Sequence, residues 1–229
     1  MTTTQTQGAN LITLREVRSN SKVRAYIEGA NTLLASIGYT EHGHRHAGIV
    51  SSIARYIMDA TGADPRRTEL ASIAAYLHDI GNVMSRTMHP ISGAGMAFRI
   101  LDEMGMDASE VALVIGAIAN HEERDGLPFN EITASLIIAD KSDVHYSRVQ
   151  NPIPETYDIH DRVNHAVQRS RVNVEVDKRI ICLQLEIDTE SASVMEYFEI
   201  FLDRMVMCRQ SADKLGYVFR LTANGVTLG

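Results

Sequence analysis

The segment LASIAAYLHDIG, residues 70–81, carries a nearly apolar run straight into an adjacent histidine and aspartate, His78-Asp79. Burying an imidazole beside a carboxylate is costly unless other parts of the chain supply partners. That requirement restricts the fold more than any other feature of the chain. The sequence holds nine histidines and no tryptophan, and six of the nine lie between His42 and His121. His46 opens a helical turn in EHGHRHAGIV, and His89-Pro90 starts HPISGAGMAFRIL. His121 closes an apolar run in ANHEERDGLP, and Asp140 lies within IIADKSD. Each of these polar residues interrupts an apolar helical stripe or stands at its edge. Imidazoles mixed with carboxylates form the donor set of a borderline or hard divalent metal, and packed helices hold such donors rigidly.

Around these residues the first two thirds of the chain read as helices. Apolar spacing close to 3.6 predicts Ser21–Ile37 and His44–Ala60. Asp64-Pro65, an N-cap followed by an N1 proline, predicts a helix over Pro65–His78, ended by Gly81. Pro90–Met104, Ala108–Asn120 and Glu131–Tyr146 follow, with a loop over His121–Asn130 and a connector over Ser147–Tyr157. The last third alternates and is rich in β-branched residues. Val172–Val176 and Arg179–Ile187 predict a hairpin, Ser193–Leu215 a long amphipathic helix, and Ala223-Asn224-Gly225 a turn between Tyr217–Leu221 and Val226–Leu228. Core packing is the ordinary account of the long helix's apolar side, and a dimer face is the alternative. The fold class is therefore mostly α, a helical bundle with a small C-terminal α+β appendage. The boundaries expected are a flexible N-terminus over 1–20, a helical metal-binding domain over 21–168 and the appendage over 169–229.

Composition removes several classes. At 229 residues the chain suits one domain with an appendage. Two cysteines, Cys182 and Cys208, exclude a disulfide-dense scaffold and a Cys-rich zinc module. A net charge of −7 lacks the broad footprint of a nucleic-acid binder. No segment reads as a signal peptide or membrane span, so the expected location is cytoplasmic.

The order His46, His78-Asp79, Asp140 resembles the HD superfamily of metal-dependent phosphohydrolases. AYLHDIGN, HPISGAGMAFRIL, NHEERDGLP and IIADKSD resemble the HD-GYP branch in order and spacing, over roughly residues 40–146. The resemblance implies an HD-type helical bundle with two metal sites. His46, His78, Asp79 and Asp140 match the first, and Asp79 would bridge to a second completed by His89 and His121. The ions it implies are iron, manganese, zinc, cobalt or nickel. Four departures stand out. Asn120 replaces the first of two adjacent histidines, and His42 stands where some relatives have a third-site glutamate. Asn82 replaces a lysine, and DGLP lacks the glycine-tyrosine-proline signature. They weigh against cyclic-di-GMP hydrolysis and favour a dinuclear site.

The resemblance implies hydrolysis of a phosphate ester of a small metabolite or nucleotide by a metal-activated hydroxide. The alternatives are a cyclic-dinucleotide or dinucleoside-polyphosphate phosphodiesterase, or a non-catalytic HD-type regulatory or dimerisation protein. Asp79 and Lys141 are the residues expected to act in the reaction. Arg124, Lys141 and Arg148 are candidates to meet substrate phosphate, each weighed against a solvated charge. His42, Asn82 and Glu122 are expected to support the ligands from behind. Gly93-Ala94-Gly95 is better read as close helix packing than as a phosphate loop. The partners expected are a small phosphorylated substrate and, at most, a second copy of the chain.

Overall fold

The computed structural model describes residues 11–228. In chain order it holds α1 (Leu14–Ser19), α2 (Ser21–Ser36), α3 (His44–Ala60), α4 (Pro65–Leu77), α5 (His89–Glu103), α6 (Ala108–Ala119) and α7 (Glu131–Ser142). After these come α8 (Ile159–Ala166), β1 (Val167–Glu175), β2 (Ile180–Ile187), α9 (Val194–Lys214), β3 (Val218–Ala223) and β4 (Val226–Thr227). A mostly helical fold with a small C-terminal sheet is thus what the sequence builds. No helix among the described residues is long and apolar enough to cross a membrane.

Local chemistry sets the helix starts. The Asp64 carboxylate accepts from the Arg66 and Arg67 amides ahead of α4, and Asn130 accepts from the Thr133 amide ahead of α7. Ser193 and Glu196 form a reciprocal capping box on α9. A second box, Thr13 with Glu16, makes residues 14–19 helical, where the sequence reading ran a flexible segment to residue 20. Residues 1–10 of that segment lie outside the described residues.

Three other spans differ from expectation. α7 stops at Ser142, because Asp143 leaves the helix to turn its carboxylate onto Arg45 and His46. α8 falls in a stretch read without structure; its sequence IHDRVNHA carries too few apolar residues to announce itself. β1 begins at Val167, through a bulge between Val167 and Arg169, rather than at Val172.

The sheet order is β1-β2-β3-β4. β1 and β2 form the expected antiparallel hairpin. β2 and β3 are parallel, joined by α9 as the crossover. The β3–β4 turn is Asn224-Gly225, both at positive φ (49° and 82°), the backbone of a type I′ turn. Two apolar cores result. One, built on Val50, Leu70, Leu77, Leu101, Ile118 and Leu136, fills the bundle. The other gathers Leu183, Tyr197, Phe201 and Cys208, and takes Ile57 of α3 and Ile138 of α7 into it. α3 and α7 are therefore shared, and the C-terminal elements sit directly behind the helix that carries Asp140.

One close approach positions the site. A Cβ on Gly81 would lie 2.1 Å from the His89 carbonyl oxygen and 2.4 Å from the Gly93 amide nitrogen. The chain after His78-Asp79 thus lies backbone to backbone on the first turn of α5. Gly81→Ala is expected to cost at least about 3 kcal/mol, the upper end of overpacking penalties. Gly48→Ala on α3, where a Cβ meets nothing within 4 Å, should instead stabilise by about 0.5–1 kcal/mol. Urea unfolding of the two variants checks both signs.

Candidate metal centre

All six expected donors sit at helix ends on one side of the bundle. His46 is in the first turn of α3, and His89 is the first residue of α5. His78 caps the C-terminus of α4, with Asp79 next to it. His121 follows the C-cap of α6, and Asp140 is in the last turn of α7. The C-terminal ends of three helices therefore converge there, each contributing partial negative charge favourable to a cation.

Four buried imidazoles are anchored the same way round. The Nδ1 atoms of His78, His89 and His121 each donate to the carbonyl three residues back, on Ala75 (2.8 Å), Arg86 (2.7 Å) and Ile118 (2.6 Å). His46 Nδ1 donates to the Asp143 carboxylate at 2.7 Å. Ala75 and Ile118 are in last helical turns, whose carbonyls lack helical partners. With Nδ1 fixed as donor, every Nε2 presents its lone pair to the centre.

The donors form two clusters that share Asp79. In the first, His46 and His78 Nε2 lie 3.3 Å apart and 3.5 and 3.2 Å from Asp79 Oδ2. Asp140 Oδ1 is 3.3 and 3.5 Å from the same two nitrogens. In the second, His89 and His121 Nε2 are 3.1 Å apart and 3.4 and 3.9 Å from Asp79 Oδ1. Glu122 Oε2 lies 3.2 Å from His89 Nε2. Donors held about 2.1 Å from one ion at right or tetrahedral angles are themselves about 3.0–3.4 Å apart. Most of the spacings fit that polyhedron, and the widest, His121 to Asp79 at 3.9 Å, exceeds it. A proton can satisfy one facing pair of lone pairs, whereas a metal ion satisfies the whole set.

Electrostatics favour ionised carboxylates. Burial alone would raise Asp79 and Asp140, but His78 beside Asp79, and Lys141 beside Asp140, hold both well below the usual carboxylate range. Burial also disfavours a charged His78, yet Asp79 and Asp140 outweigh it and push its pKa up to about 10. Burial, with His78, His89 and Lys141 nearby, pushes His121 down to about 3.

The supporting residues divide. Asn82 Nδ2 donates to Asp79 Oδ1 at 2.8 Å and so holds that carboxylate. Glu122 is not behind the ligands but among the donors, grouped with His89 and His121. The His42 ring lies edge-on to His46, centroids 5.4 Å apart, with its Nδ1 on the Thr40 carbonyl at 2.6 Å. Two phosphate candidates are buried and engaged. Lys141 is 2% exposed, and its ammonium is held by Asp140 (2.7 Å) and Glu123 (3.1 Å). Arg148 is 3% exposed, and its guanidinium donates to the Glu41 and Asp143 carbonyls. Both are engaged in holding the frame, and Arg148 also lines a cavity. Arg124 is exposed in the loop after His121.

Sequence reasoning missed Asp143, Glu123 and Arg86. The Arg86 guanidinium lies 3.0 Å from the His89 ring and over Tyr39 at 5.6 Å. A cavity of about 380 Å³ is lined by Tyr39, His42, Arg86, Arg148, Phe201 and Arg204; none of the donors lines it, but His42 lies edge-on to His46 and Arg86 against His89. A second cavity, about 350 Å³, lies on the other side of Arg86, against His89, Glu122 and Arg124.

Residues 43–146, which include every donor named above, match the family model of the HD domain. The chain is also similar to an uncharacterized protein of Methanocaldococcus jannaschii, 26% identical over 223 residues, covering 87% of this chain and 85% of that protein. Among solved structures, it is similar to the crystal structure of a predicted HD superfamily hydrolase from an uncultured Thermotogales bacterium. That match is 28% identical, with a TM-score of 0.42, and covers 54% of this chain and 67% of the other.

Asp143 is the anchor that carbonyl groups replace elsewhere, so it is the most informative support to alter. Asp143→Asn should lower divalent-metal affinity about 10–100-fold, the usual effect of losing a ligand's outer partner, with unchanged helical content. Competition against a chromophoric chelator measures it. Affinity within twofold of wild type would remove Asp143 from the control of His46.

Proposed function

We propose that this HD domain, residues 43–146, works as a divalent-metal phosphohydrolase on a phosphate ester of a small metabolite or nucleotide. The observation that carries the reading is the shared Asp79, one oxygen toward each of two donor clusters. His46, His78 and Asp140 would hold one ion, and His89, His121 and Glu122 a second, with Asp79 common to both. A divalent ion in such a site supplies Lewis acidity toward phosphoryl oxygen and brings the pKa of water toward neutrality.

The chain's own residues supply the rest. Arg86, beside His89 at the mouth of both cavities, is placed to meet phosphoryl oxygens. Lys141 keeps Asp140 ionised, and Asn82 fixes the direction of Asp79. The Cys208 thiol is buried and its pKa is pushed up by that burial, so it is no nucleophile. A volume of about 380 Å³ is at the small end of ligand pockets, which favours a small ester over a cyclic dinucleotide.

The test begins with metal analysis of anaerobically purified protein. A panel of phosphomonoesters, nucleotides and cyclic dinucleotides follows with the metal found. Chelation should abolish hydrolysis, and the same metal should restore it. Asp79→Ala should lose both metal and hydrolysis, since it removes one donor from each cluster. Full metal content with retained turnover in that variant would sink the reading. Bound metal with no turnover on any ester would favour the regulatory alternative.

A further inference from the structure

The larger cavity has a wall that the HD domain does not build. Phe201 and Arg204 come from α9, well past residue 146. Three guanidinium groups line the cavity, Arg86, Arg148 and Arg204, against one carboxylate among the described residues, Asp158. Asp158 is occupied as the N-cap of α8, accepting from the Asp161 amide at 2.8 Å. This local positive surplus occurs in a chain of net charge −7. The second cavity shows no such surplus, since Glu122 and Asp125 face Arg86 and Arg124 there.

The three arginines are not equivalent. Arg148 is committed to carbonyls, and Arg86 lies against His89. Arg204 is held at one edge only. Its Nε lies 3.0 Å from Glu123 Oε1, and its Cζ sits 4.5 Å from the Phe201 ring centroid. Glu123 also takes Lys141 at 3.1 Å, and Lys141 takes Asp140 at 2.7 Å. The guanidinium is therefore linked to a candidate metal donor through three successive ion pairs. Its terminal nitrogens have no hydrogen-bond partner among the described residues. A guanidinium oriented by a carboxylate and an aromatic face, with its fork free, is shaped for bidentate binding of an anion.

We propose that Arg204, seated on Phe201, binds a second anionic group of the substrate, other than the phosphoryl group that is cleaved. The substrate class is then a small phosphorylated metabolite bearing a carboxylate or a second phosphate. α9 thus sets specificity. The proposal rests on the phosphohydrolase reading, and it makes Arg204 a specificity residue rather than part of the reacting centre.

The test uses the metal-loaded full chain and three probes. Glycerol 3-phosphate carries one anionic group, 3-phosphoglycerate adds a carboxylate, and 1,3-propanediol bisphosphate adds a phosphate. Dissociation constants are measured by calorimetry at fixed ionic strength, or KM where a probe is turned over. At least one two-anion probe should bind tenfold or more tightly than glycerol 3-phosphate, the effect of a charge-assisted pair. Which one does so tells carboxylate from phosphate. Arg204→Met should erase that ratio while glycerol 3-phosphate stays within about twofold, and Arg204→Lys should recover part of it. Metal content and melting temperature are followed in each variant, and Arg204→Gln replaces any variant that loses either.

Equal binding of all three probes by wild type overturns the proposal. So does a ratio that survives Arg204→Met, a uniform loss for all three probes, or no binding of any. Failure of the underlying reading looks different. There the chain takes up no divalent metal, or the probes bind equally well after chelation.

Discussion

Four imidazoles, buried and each tied down at Nδ1, dictate the geometry of the rest of this structure. The ties are short, 2.6–2.8 Å, and three of the four end on backbone carbonyls. The Ala75 and Ile118 carbonyls are set in helix ends and cannot rotate, so the His78 and His121 rings they hold are fixed as well. The outcome is two pairs of Nε2 atoms at 3.3 and 3.1 Å, with carboxylate oxygens close on every side. Packed without a cation, facing lone pairs repel. Local conflict of this kind is what distinguishes a working site from an ordinary core.

The same ties explain how far the sequence alone reaches. His78 and His121 stand directly after apolar helices, and His89 directly before one, so each announced itself as a polar break in a stripe. Their partners did not, because a backbone carbonyl carries no residue-type signal. Asp143 and Glu123 look like ordinary solvated acids; only the folding of α3 and α9 onto them shows otherwise. Lys141 and Arg148 read as candidate phosphate ligands for the converse reason, since Glu123 and the Glu41 carbonyl, which engage them, are distant in sequence. The hairpins were legible from alternation and from Asn224-Gly225. The parallel β2–β3 pairing was not, because it depends on which way α9 crosses.

α7 links the two halves of the molecule. Ile132–Ala139 is buried throughout, with Leu136 in the bundle core and Ile138 in the C-terminal one. A helix covered on two sides loses its polar face, and this is why a lysine at its end becomes buried as well. Lys141 then needs carboxylates, and it takes one from the donor set and one from the loop after His121. The C-terminal elements therefore reach the candidate centre by way of charge as well as packing. Glu123 is where the two meet, since Lys141 and Arg204 both end on it.

The ion pairs around the centre are unevenly distributed. Asp143 is met by Arg45 at 3.1 Å and Arg148 at 3.8 Å, and Asp140 by Lys141. Glu123 has Lys141 and Arg204, and Glu122 has Arg86 at 3.7 Å. Asp79 differs from all of them. It is 7% exposed, and among the described residues no lysine or arginine comes within ion-pair distance; it has histidines alone. A buried carboxylate without a permanent cation is expensive, and of the imidazoles around Asp79 it is His78, its own pKa pushed up by the two aspartates, that offsets it. Protons on the histidines offset it in part, one pair at a time. A divalent ion beside Asp79 would offset it further and relieve facing lone pairs in the same step. The residue that joins the two clusters is thus also the one to which the described residues give histidines and an amide but no lysine or arginine.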